Sequence, residues 1–228
     1  MKSSVYLQTI TNSMKKQFSF LLSVLISLTL AFCSAQSGKK QQGDLKLDLT
    51  APAGKAVAAF AEGCFWCSEH IFEAVEGIDA AISGYAGGST LNPTYELVNT
   101  ETTGHAETVL VYYDPKKVSY AELLNVFFTS QDPTTPDQQG PDHGNSYRSI
   151  IFYSTQEEKE LAEKAKAAYA PKFKKPIVSE IKPLTAFYKA EDYHQDYIEH
   201  NPYSPYVVGV SIPRYELFKK TYNGKLKR

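Results

Sequence analysis

Residues 56–88 read AVAAFAEGCFWCSEHIFEAVEGIDAAISGYAGG, and this stretch contains the first half of the fold. A short apolar run ends at Gly63, and apolar residues then recur at helical spacing up to Gly77, a residue typical of a helix end. A second apolar run, typical of a strand, leads into two further glycines. The pattern predicts a strand at 55–61, a helix at 65–76 and a strand at 78–85.

Further elements follow on the C-terminal side. We predict a strand at 105–113, a helix from a capping box at Ser119 to about 129, a strand at 147–153, a capped helix to 170 and a strand at 177–181. The order β-α-β-β-α-β is that of the split βαβ motif. The sequence therefore predicts an α+β fold: a ferredoxin-like split βαβ core, a mostly antiparallel sheet with helices packed on it, and a long C-terminal wrap.

The N-terminal segment has a different character. The first acidic residue is Asp44, and Lys15 and Lys16 precede the apolar run FSFLLSVLISLTLAF at 18–32. This run is short for a membrane span, and small residues follow it, as in an export signal. A buried helix or an uncleaved anchor is the alternative.

We therefore predict a signal peptide or lipoprotein signal at 1–35, a flexible tether at 36–54 and a globular domain at 55–228. The protein is then exported, either periplasmic or a membrane-anchored lipoprotein, and it contacts the membrane only through this N-terminal signal or lipid anchor.

Composition excludes several classes of protein. Lys and Arg number 24 against 25 Asp and Glu, and this balance argues against a nucleic-acid partner. Three cysteines are too few for a disulfide scaffold, and a hydrophobic content of 43% is enough for a packed core. The sequence has no phosphate-binding loop, EF-hand or zinc-protease motif, so we expect no cofactor and no catalytic metal.

The pair Cys64 and Cys67 lies where the first strand turns into the first helix. Free N–H groups and the helix dipole favour a thiolate there, so we expect a lowered pKa for Cys64. Four interpretations remain open from the residues: apolar filling, a zinc site with His70, a thioredoxin-like dithiol, or a nucleophile that attacks electrophilic sulfur.

The chain carries a series of motifs besides GCFWC: GYAGG (84–88), NPTYELV (92–98), GHAET (104–108), DHGNSYRS (142–149) and AEDYHQDY (190–197). In this order they resemble the A-type peptide methionine sulfoxide reductases over about residues 57–215. The resemblance implies a catalytic reductase domain that acts on oxidised proteins or peptides bearing methionine sulfoxide. It favours the nucleophile interpretation of the cysteine pair.

The resemblance also implies roles for individual residues. Cys64 would attack the sulfoxide sulfur and become a sulfenic acid, and Glu107 would protonate the leaving oxygen. Tyr95 and Tyr147 match the tyrosines that donate hydrogen bonds to that oxygen. The pocket residues that match the family's substrate site are Phe65, Trp66 and Asp142. His194, within the last motif, is expected to be structural or solvated.

Recycling is less determined, because the chain has no cysteine after Cys67. We hypothesise that Cys67 resolves the sulfenic acid and that a thioredoxin-like electron donor reduces the resulting disulfide. Direct attack by an external thiol on Cys64 is the alternative. Two rival functions are an exported thiol–disulfide oxidoreductase that uses the same two cysteines, and a binding module without chemistry.

Overall fold

The computed structural model describes residues 46–227. The predicted signal at 1–35 lies outside the described residues, and so does most of the predicted tether. Between residues 46 and 227, no helix combines the length and apolar character needed to cross a membrane.

Strands and helices alternate along the described chain. The strands are β1 (Ala56–Glu62), β2 (Ile78–Ala86), β3 (Ala106–Tyr113), β4 (Gln138–Gln139), β5 (Asp142–His143), β6 (Ser149–Tyr153), β7 (Glu180–Pro183) and β8 (Phe187–Lys189). The α-helices are α1 (Phe65–Glu73), α2 (Tyr95–Val98), α3 (Tyr120–Ser130), α4 (Gln156–Tyr169), α5 (Tyr197–His200) and α6 (Ile212–Thr221). A π-helix covers Val207–Ser211, and 3-10 turns cover Asn145–Tyr147, Ala170–Lys172 and Asp192–His194.

Six strands form one sheet in the order β7-β6-β1-β3-β2-β8. β1 pairs antiparallel with both β3 and β6, and β3 pairs antiparallel with β2. Each of α1 and α3 therefore connects two strands that have a third strand between them, which is the split βαβ arrangement. Only the β6–β7 pair is parallel among the described strands. The predicted α+β fold with a mostly antiparallel sheet is confirmed.

The main core lies between the sheet and the helices. Phe60 of β1 stacks on Phe72 of α1 with ring centroids 5.1 Å apart, and it also contacts Phe127 of α3. All three side chains are fully buried. Burial of each stabilises the fold by about 1.5–3 kcal/mol, so this aromatic group fixes both helices on one face.

The opposite face of the sheet has a smaller apolar cluster that includes Leu110, Phe152 and Phe187. Leu47 packs against it, and its backbone N–H donates to the carbonyl of Phe187 at 2.9 Å. Lys46 also forms an isolated bridge with β8. The end of the segment predicted as a flexible tether therefore packs on the sheet edge, because its leucines cover apolar surface.

Several element boundaries differ from the predicted ones for non-local reasons. α1 ends at Glu73, because the next residues bond to the C-terminal segment; the N–H of Glu76 donates to the carbonyl of Lys225 at 3.0 Å. β7 begins at Glu180, because Val178 bonds instead to the loop carbonyl of Pro133. β6 starts two residues late, after the 3-10 turn that ends at Tyr147.

Candidate active site

A cavity of about 320 Å³ opens at the N-terminus of α1, and we call it the Cys64 cavity. Its lining residues come from the start of α1, from α2, β3, β5, the 3-10 turn after β5 and the C-terminal wrap: Cys64, Phe65, Trp66, Tyr95, Glu107, Asp142, Tyr147, Tyr197, Ser204 and Tyr206. Every residue predicted for catalysis or substrate binding is in this lining, apart from Cys67. Side chains distant in sequence thus converge on one sulfur atom.

The turn at Gly63 sets the position of Cys64. Gly63 has φ +85°, and a Cβ atom there would lie 2.4 Å from the Cβ of Gln139. Only glycine fits this conformation and this space. Cys64 then takes the N-cap position of α1, where its carbonyl accepts the first helical hydrogen bonds from Cys67 and Ser68.

The two cysteines are free thiols, and their protonation differs from our expectation. Burial and the neighbouring Cys67 raise the pKa of Cys64 well above its usual value. The hydrogen bond from Cys64, supported by the charge of Arg214, lowers the pKa of Cys67. The prediction of a lowered pKa for Cys64 was wrong, because burial of the first thiol outweighs the helix terminus. The more acidic sulfur of the pair is Cys67.

Glu107 lies on β3 directly opposite Tyr85 of β2, with its side chain inside the molecule. The backbone N–H of Phe65 donates to its Oε2 at 3.0 Å. Burial raises the pKa of Glu107 to about 8, because the ionised form loses its hydration. Near neutral pH this side chain is mainly a protonated carboxylic acid at the N-terminus of α1, and it can donate a proton.

Tyr95 and Tyr147 reach the cavity from two short helical turns. Thr94 caps α2 by accepting from the N–H of Leu97, and Glu191 accepts from the N–H of Tyr95 at 3.0 Å. Burial raises the pKa of both tyrosines. Their hydroxyls therefore stay protonated and can donate hydrogen bonds to an oxygen bound in the cavity.

Glu101 fixes the segment that carries Tyr147. Its carboxylate accepts from the backbone N–H of Ser146 at 2.9 Å and from the Ser146 hydroxyl at 2.8 Å. Its carbonyl accepts from the side-chain amide of Asn145 at 3.0 Å. These bonds link the loop before β6 to the loop before β3, which holds Tyr147 in reach of Glu107.

Trp66 forms the aromatic wall of the cavity. Its indole stacks on Tyr197 with centroids 3.6 Å apart and nearly parallel planes, and its Nε1–H donates to Nδ1 of His194 at 3.0 Å. His194 also contacts the ring of Phe65 at 4.9 Å between centroids. Burial lowers the pKa of His194 to about 4, so the ring is neutral and accepts from Trp66. His194 is thus structural, as expected, and holds the wall in place.

Sequence reasoning missed Tyr206 and Tyr197. Tyr206 donates its hydroxyl proton to Oδ2 of Asp142 and also contacts Cys64. Burial raises the pKa of Asp142, and the Tyr206 hydrogen bond opposes that shift. The available signal was the tyrosine- and proline-rich tail, but the sequence does not show which tail residues reach the cavity, because that depends on the tertiary fold.

Together these groups define a class of site. A buried thiol lies beside a second thiol, a neutral carboxylic acid and two phenols, around a small cavity with aromatic walls. Such a site can attack an electrophilic sulfur and protonate an oxygen that leaves it. Within residues 46–227, no group of three or more His, Cys, Asp or Glu side chains is placed to hold a metal ion. The geometry is that of a cysteine-dependent oxidoreductase.

Comparison with known proteins agrees with this class. The profile of the family described as "Peptide methionine sulfoxide reductase" matches residues 56–226. A peptide methionine sulfoxide reductase of Rhodopirellula baltica is 45% identical over 174 residues, covering 76% of this chain and 91% of the relative. One from Nautilia profundicola is 48% identical over 166 residues, covering 73% of this chain and 95% of the relative.

Solved structures give the same result. The methionine sulfoxide reductase A of Corynebacterium diphtheriae is 36% identical with a TM-score of 0.65, over 68% of this chain and 79% of that one. Reduced Mxr1 of Saccharomyces cerevisiae is 35% identical, also with a TM-score of 0.65, over 67% and 89%. The chain belongs to the peptide methionine sulfoxide reductase family and is an oxidoreductase. The rival thiol–disulfide oxidoreductase is not favoured by these similarities.

Proposed function

We propose that this enzyme reduces the S epimer of methionine sulfoxide, in oxidised proteins or peptides and as the free amino acid, back to methionine. The observation that carries the proposal is the convergence of the Cys64 thiol, the Glu107 carboxylic acid and the Tyr95 and Tyr147 hydroxyls on one cavity. Reduction of a sulfoxide requires a nucleophile that attacks its sulfur and proton donors that protonate its oxygen, and this cavity contains both.

The first step forms a bond between Cys64 Sγ and the sulfoxide sulfur. The Cys67 thiolate, which accepts a hydrogen bond from Cys64, takes up the thiol proton as this sulfur–sulfur bond forms. As the sulfur–oxygen bond weakens, Glu107 transfers its proton to the oxygen while the two tyrosines hydrogen-bond to it. The protonated oxygen then moves from the substrate sulfur to Cys64 Sγ, and the bond between the two sulfurs breaks with its electron pair on the substrate sulfur. Methionine leaves and Cys64 remains as a sulfenic acid; Cys64 is oxidised by two electrons and the substrate sulfur is reduced by two.

The aromatic wall selects the substrate. Phe65 and Trp66 form an apolar surface for the S-methyl group, and Tyr197 and His194 hold the Trp66 ring at a fixed angle. With the methyl group on this wall and the oxygen at Glu107, the third substituent has one remaining direction. The opposite epimer cannot place its methyl group on this wall and its oxygen at Glu107 at the same time, so it loses one of the two contacts.

For recycling, Cys67 is the resolving residue. Cys67 releases the proton that it took up and attacks the sulfenic sulfur of Cys64 as a thiolate. The sulfur–oxygen bond breaks, the leaving hydroxide takes up that proton to form water, and a Cys64–Cys67 disulfide remains. A thioredoxin-like dithiol then reduces that disulfide. The geometry that supports this route is the position of the two thiols: Cys64 is the N-cap residue of α1, Cys67 lies in its first turn, and each affects the pKa of the other. The alternative remains direct attack of an external thiol on Cys64.

A single-turnover experiment tests the proposal. The purified protein is mixed with separate S- and R-sulfoxide peptides without reductant, and methionine and free thiols are counted. We expect one methionine per chain from the S epimer, loss of two thiols, and no product from the R epimer. A Cys64→Ser variant that releases methionine would refute the role of Cys64.

The resolving step is tested with Cys67→Ser under the same conditions. This variant should release one methionine, retain a sulfenic acid detectable by dimedone and mass spectrometry, and turn over slowly with thioredoxin. Normal thioredoxin-dependent turnover by Cys67→Ser would establish the direct route instead.

We also propose that the enzyme is exported by the signal at residues 1–35. The support is the sequence pattern alone: Lys15 and Lys16 before an apolar run that small residues follow. N-terminal sequencing and lipid labelling of the natural protein separate cleavage after Ala35 from lipidation of Cys33. An intact N-terminus in the cytosolic fraction would contradict export.

A further inference from the structure

Cys64 and Cys67 face two different spaces. Cys67 lies on the wall of a second recess of about 560 Å³, which we call the Cys67 cleft. Its walls include Ser130, Gln139 and Arg214, and it shares Asp142 and Tyr206 with the Cys64 cavity. Ser130 and Arg214 line this cleft and not the Cys64 cavity, on the side of the molecule that Cys67 faces.

Arg214 is the cation of this cleft, and it is held from two sides. Its Nε donates to the carbonyl of Ser130 at 2.8 Å, and its Nη2 donates to Oε1 of Glu62 at 3.2 Å. A Cβ atom on Gly63 would lie 3.8 Å from its Nη1, so the guanidinium lies against the turn that leads into Cys64. An arginine in this environment keeps its charge at any physiological pH.

Glu62 is the buried anchor of that arginine. Its side chain is fully buried at the end of β1, and the hydroxyl of Ser130 donates to its Oε2 at 2.8 Å. Burial raises the pKa of Glu62 to about 7, while the charge of Arg214 opposes the shift. Glu62 and the Cys67 thiolate are therefore two anions that compete for one cation.

The helical face that presents Arg214 also presents Ser211 to Cys67. Cys67 Sγ lies 3.3 Å from the Ser211 hydroxyl. Ser211 and Arg214 are three positions apart in the sequence. Residues at this spacing lie on one face of a helix. The charge of Arg214 and the Ser211 contact both lower the pKa of Cys67. The titratable groups that interact with Cys67 are Cys64, Glu62, Glu107, Asp142, Tyr206 and Arg214.

We infer that Arg214, anchored by Glu62 and Ser130, is a positioning residue of the redox cycle that keeps a negative charge stable on Cys67. The inference rests on the proposed role of Cys67 as the resolving cysteine. Arg214 itself touches no substrate; it acts through the sulfur of Cys67. Its charge favours the thiolate that attacks the sulfenic acid, and it favours the same thiolate as leaving group when the disulfide is opened.

The charge of Arg214 also determines which sulfur of the disulfide the reductant attacks. A thiolate of the dithiol reductant attacks Cys64 Sγ, the Cys64–Cys67 bond breaks, and its electron pair stays on Cys67 beside Arg214. The second thiol of the reductant then attacks the mixed disulfide, and Cys64 is released and protonated. The reductant is oxidised by two electrons and the enzyme disulfide is reduced by two. The more stable thiolate is the better leaving group, so attack at Cys64 is favoured over attack at Cys67.

The test compares Glu62→Gln with the double variant Glu62→Gln/Arg214→Met. The pair avoids a buried unpaired carboxylate, which Arg214→Met alone would create. Iodoacetamide labelling of Cys67 is followed against pH by mass spectrometry in a Cys64→Ser background. Lys219→Met removes an exposed cation from the same helix and serves as the control.

We expect Glu62→Gln to lower the apparent pKa of Cys67, because it removes the competing anion. The double variant should raise that pKa by about one unit or more relative to Glu62→Gln. Arg214→Lys should restore most of the difference, and Lys219→Met should leave the value unchanged. With Cys64 present, the double variant should reduce kcat at saturating thioredoxin about threefold to tenfold.

Equal Cys67 pKa values in the two Glu62→Gln proteins would overturn the inference. If the double variant does not fold, the Glu62→Gln variant alone tests the inference. An unchanged or higher Cys67 pKa in that variant would contradict competition between Glu62 and the Cys67 thiolate for Arg214. A mixed disulfide trapped on Cys67, with a reductant that lacks its second thiol, would also overturn it. Failure of the wild-type protein to release methionine without reductant is a separate outcome, since it refutes the proposed function instead.

Discussion

Replacement of Glu107 by Gln should inactivate the enzyme and stabilise its fold. The side chain is buried, and its pKa rises from 4.5 to about 8 on folding. At pH 7 the unfolded chain has released this proton and the folded protein has kept it. Folding therefore takes up a proton against the solution pH, which costs free energy.

The size of that cost follows from the pKa values. At pH 7 the solution lies about 2.5 pH units above the unfolded pKa, and each unit is worth about 1.4 kcal/mol, so the cost is about 3 kcal/mol. A glutamine side chain has nearly the same shape, cannot ionise, and its oxygen can still accept from the N–H of Phe65. Glu107→Gln should therefore raise the free energy of unfolding by up to about 3 kcal/mol at pH 7.

The sign of the pH dependence gives the assay. A carboxyl whose folded pKa is raised destabilises the fold progressively as pH increases from its unfolded to its folded pKa. Urea unfolding of wild type and Glu107→Gln should differ by about 3 kcal/mol at pH 7 and by less than about 1 kcal/mol at pH 5. Other groups titrate equally in both proteins and cancel, and Glu160→Gln on exposed α4 surface is the control.

Activity provides the second half of this prediction. Loss of a general acid reduces rates by about 10²–10⁴-fold, so single-turnover methionine release should fall by that amount in Glu107→Gln. In wild type the same rate should decrease above about pH 8, where Glu107 ionises. A variant that keeps its activity, or one whose added stability is equal at pH 5 and pH 7, would refute the reasoning.

Four further substitutions test the remaining geometry. Tyr95→Phe and Tyr147→Phe should each lower single-turnover methionine release by about tenfold or more at unchanged thiol content, because each removes one donor to the sulfoxide oxygen; an unchanged rate in both would exclude that role. Gly63→Ala should lower the free energy of unfolding in urea by more than about 1 kcal/mol, because residue 63 has φ +85° and an added Cβ atom would clash with Gln139. Phe72→Ala should destabilise the fold by about 3–5 kcal/mol in urea unfolding, since its ring is fully buried against β1.

The secondary structure was largely determined by local sequence. Thr155 and Glu158 form the complete capping box of α4, and Ser119 caps α3 by accepting from the N–H of Glu122. Such signals act over three or four residues, so they can be read without the fold. The alternation of strands and helices was enough to give the split βαβ order.

Element ends were less predictable where a distant segment competes for the backbone. The last predicted turn of α1 is replaced by contacts with residues 225–227, and the predicted start of β7 is displaced by the loop at Pro133. Propensity over a few residues carries no information about such partners.

The chain by itself indicated Cys64, Glu107, Tyr95 and Tyr147 as site residues, since motifs that resemble a known family contain them in order, but it did not indicate Tyr197 or Tyr206. Only the tertiary structure decided their chemical state. The bond from Phe65 to Glu107 spans 42 residues, that from Trp66 to His194 spans 128, and that from Arg214 to Glu62 spans 152. The acidity of a group depends on its burial and on charges within a few ångströms. Those neighbours come from remote parts of the chain, which is why Cys67, and not Cys64, carries the lower pKa.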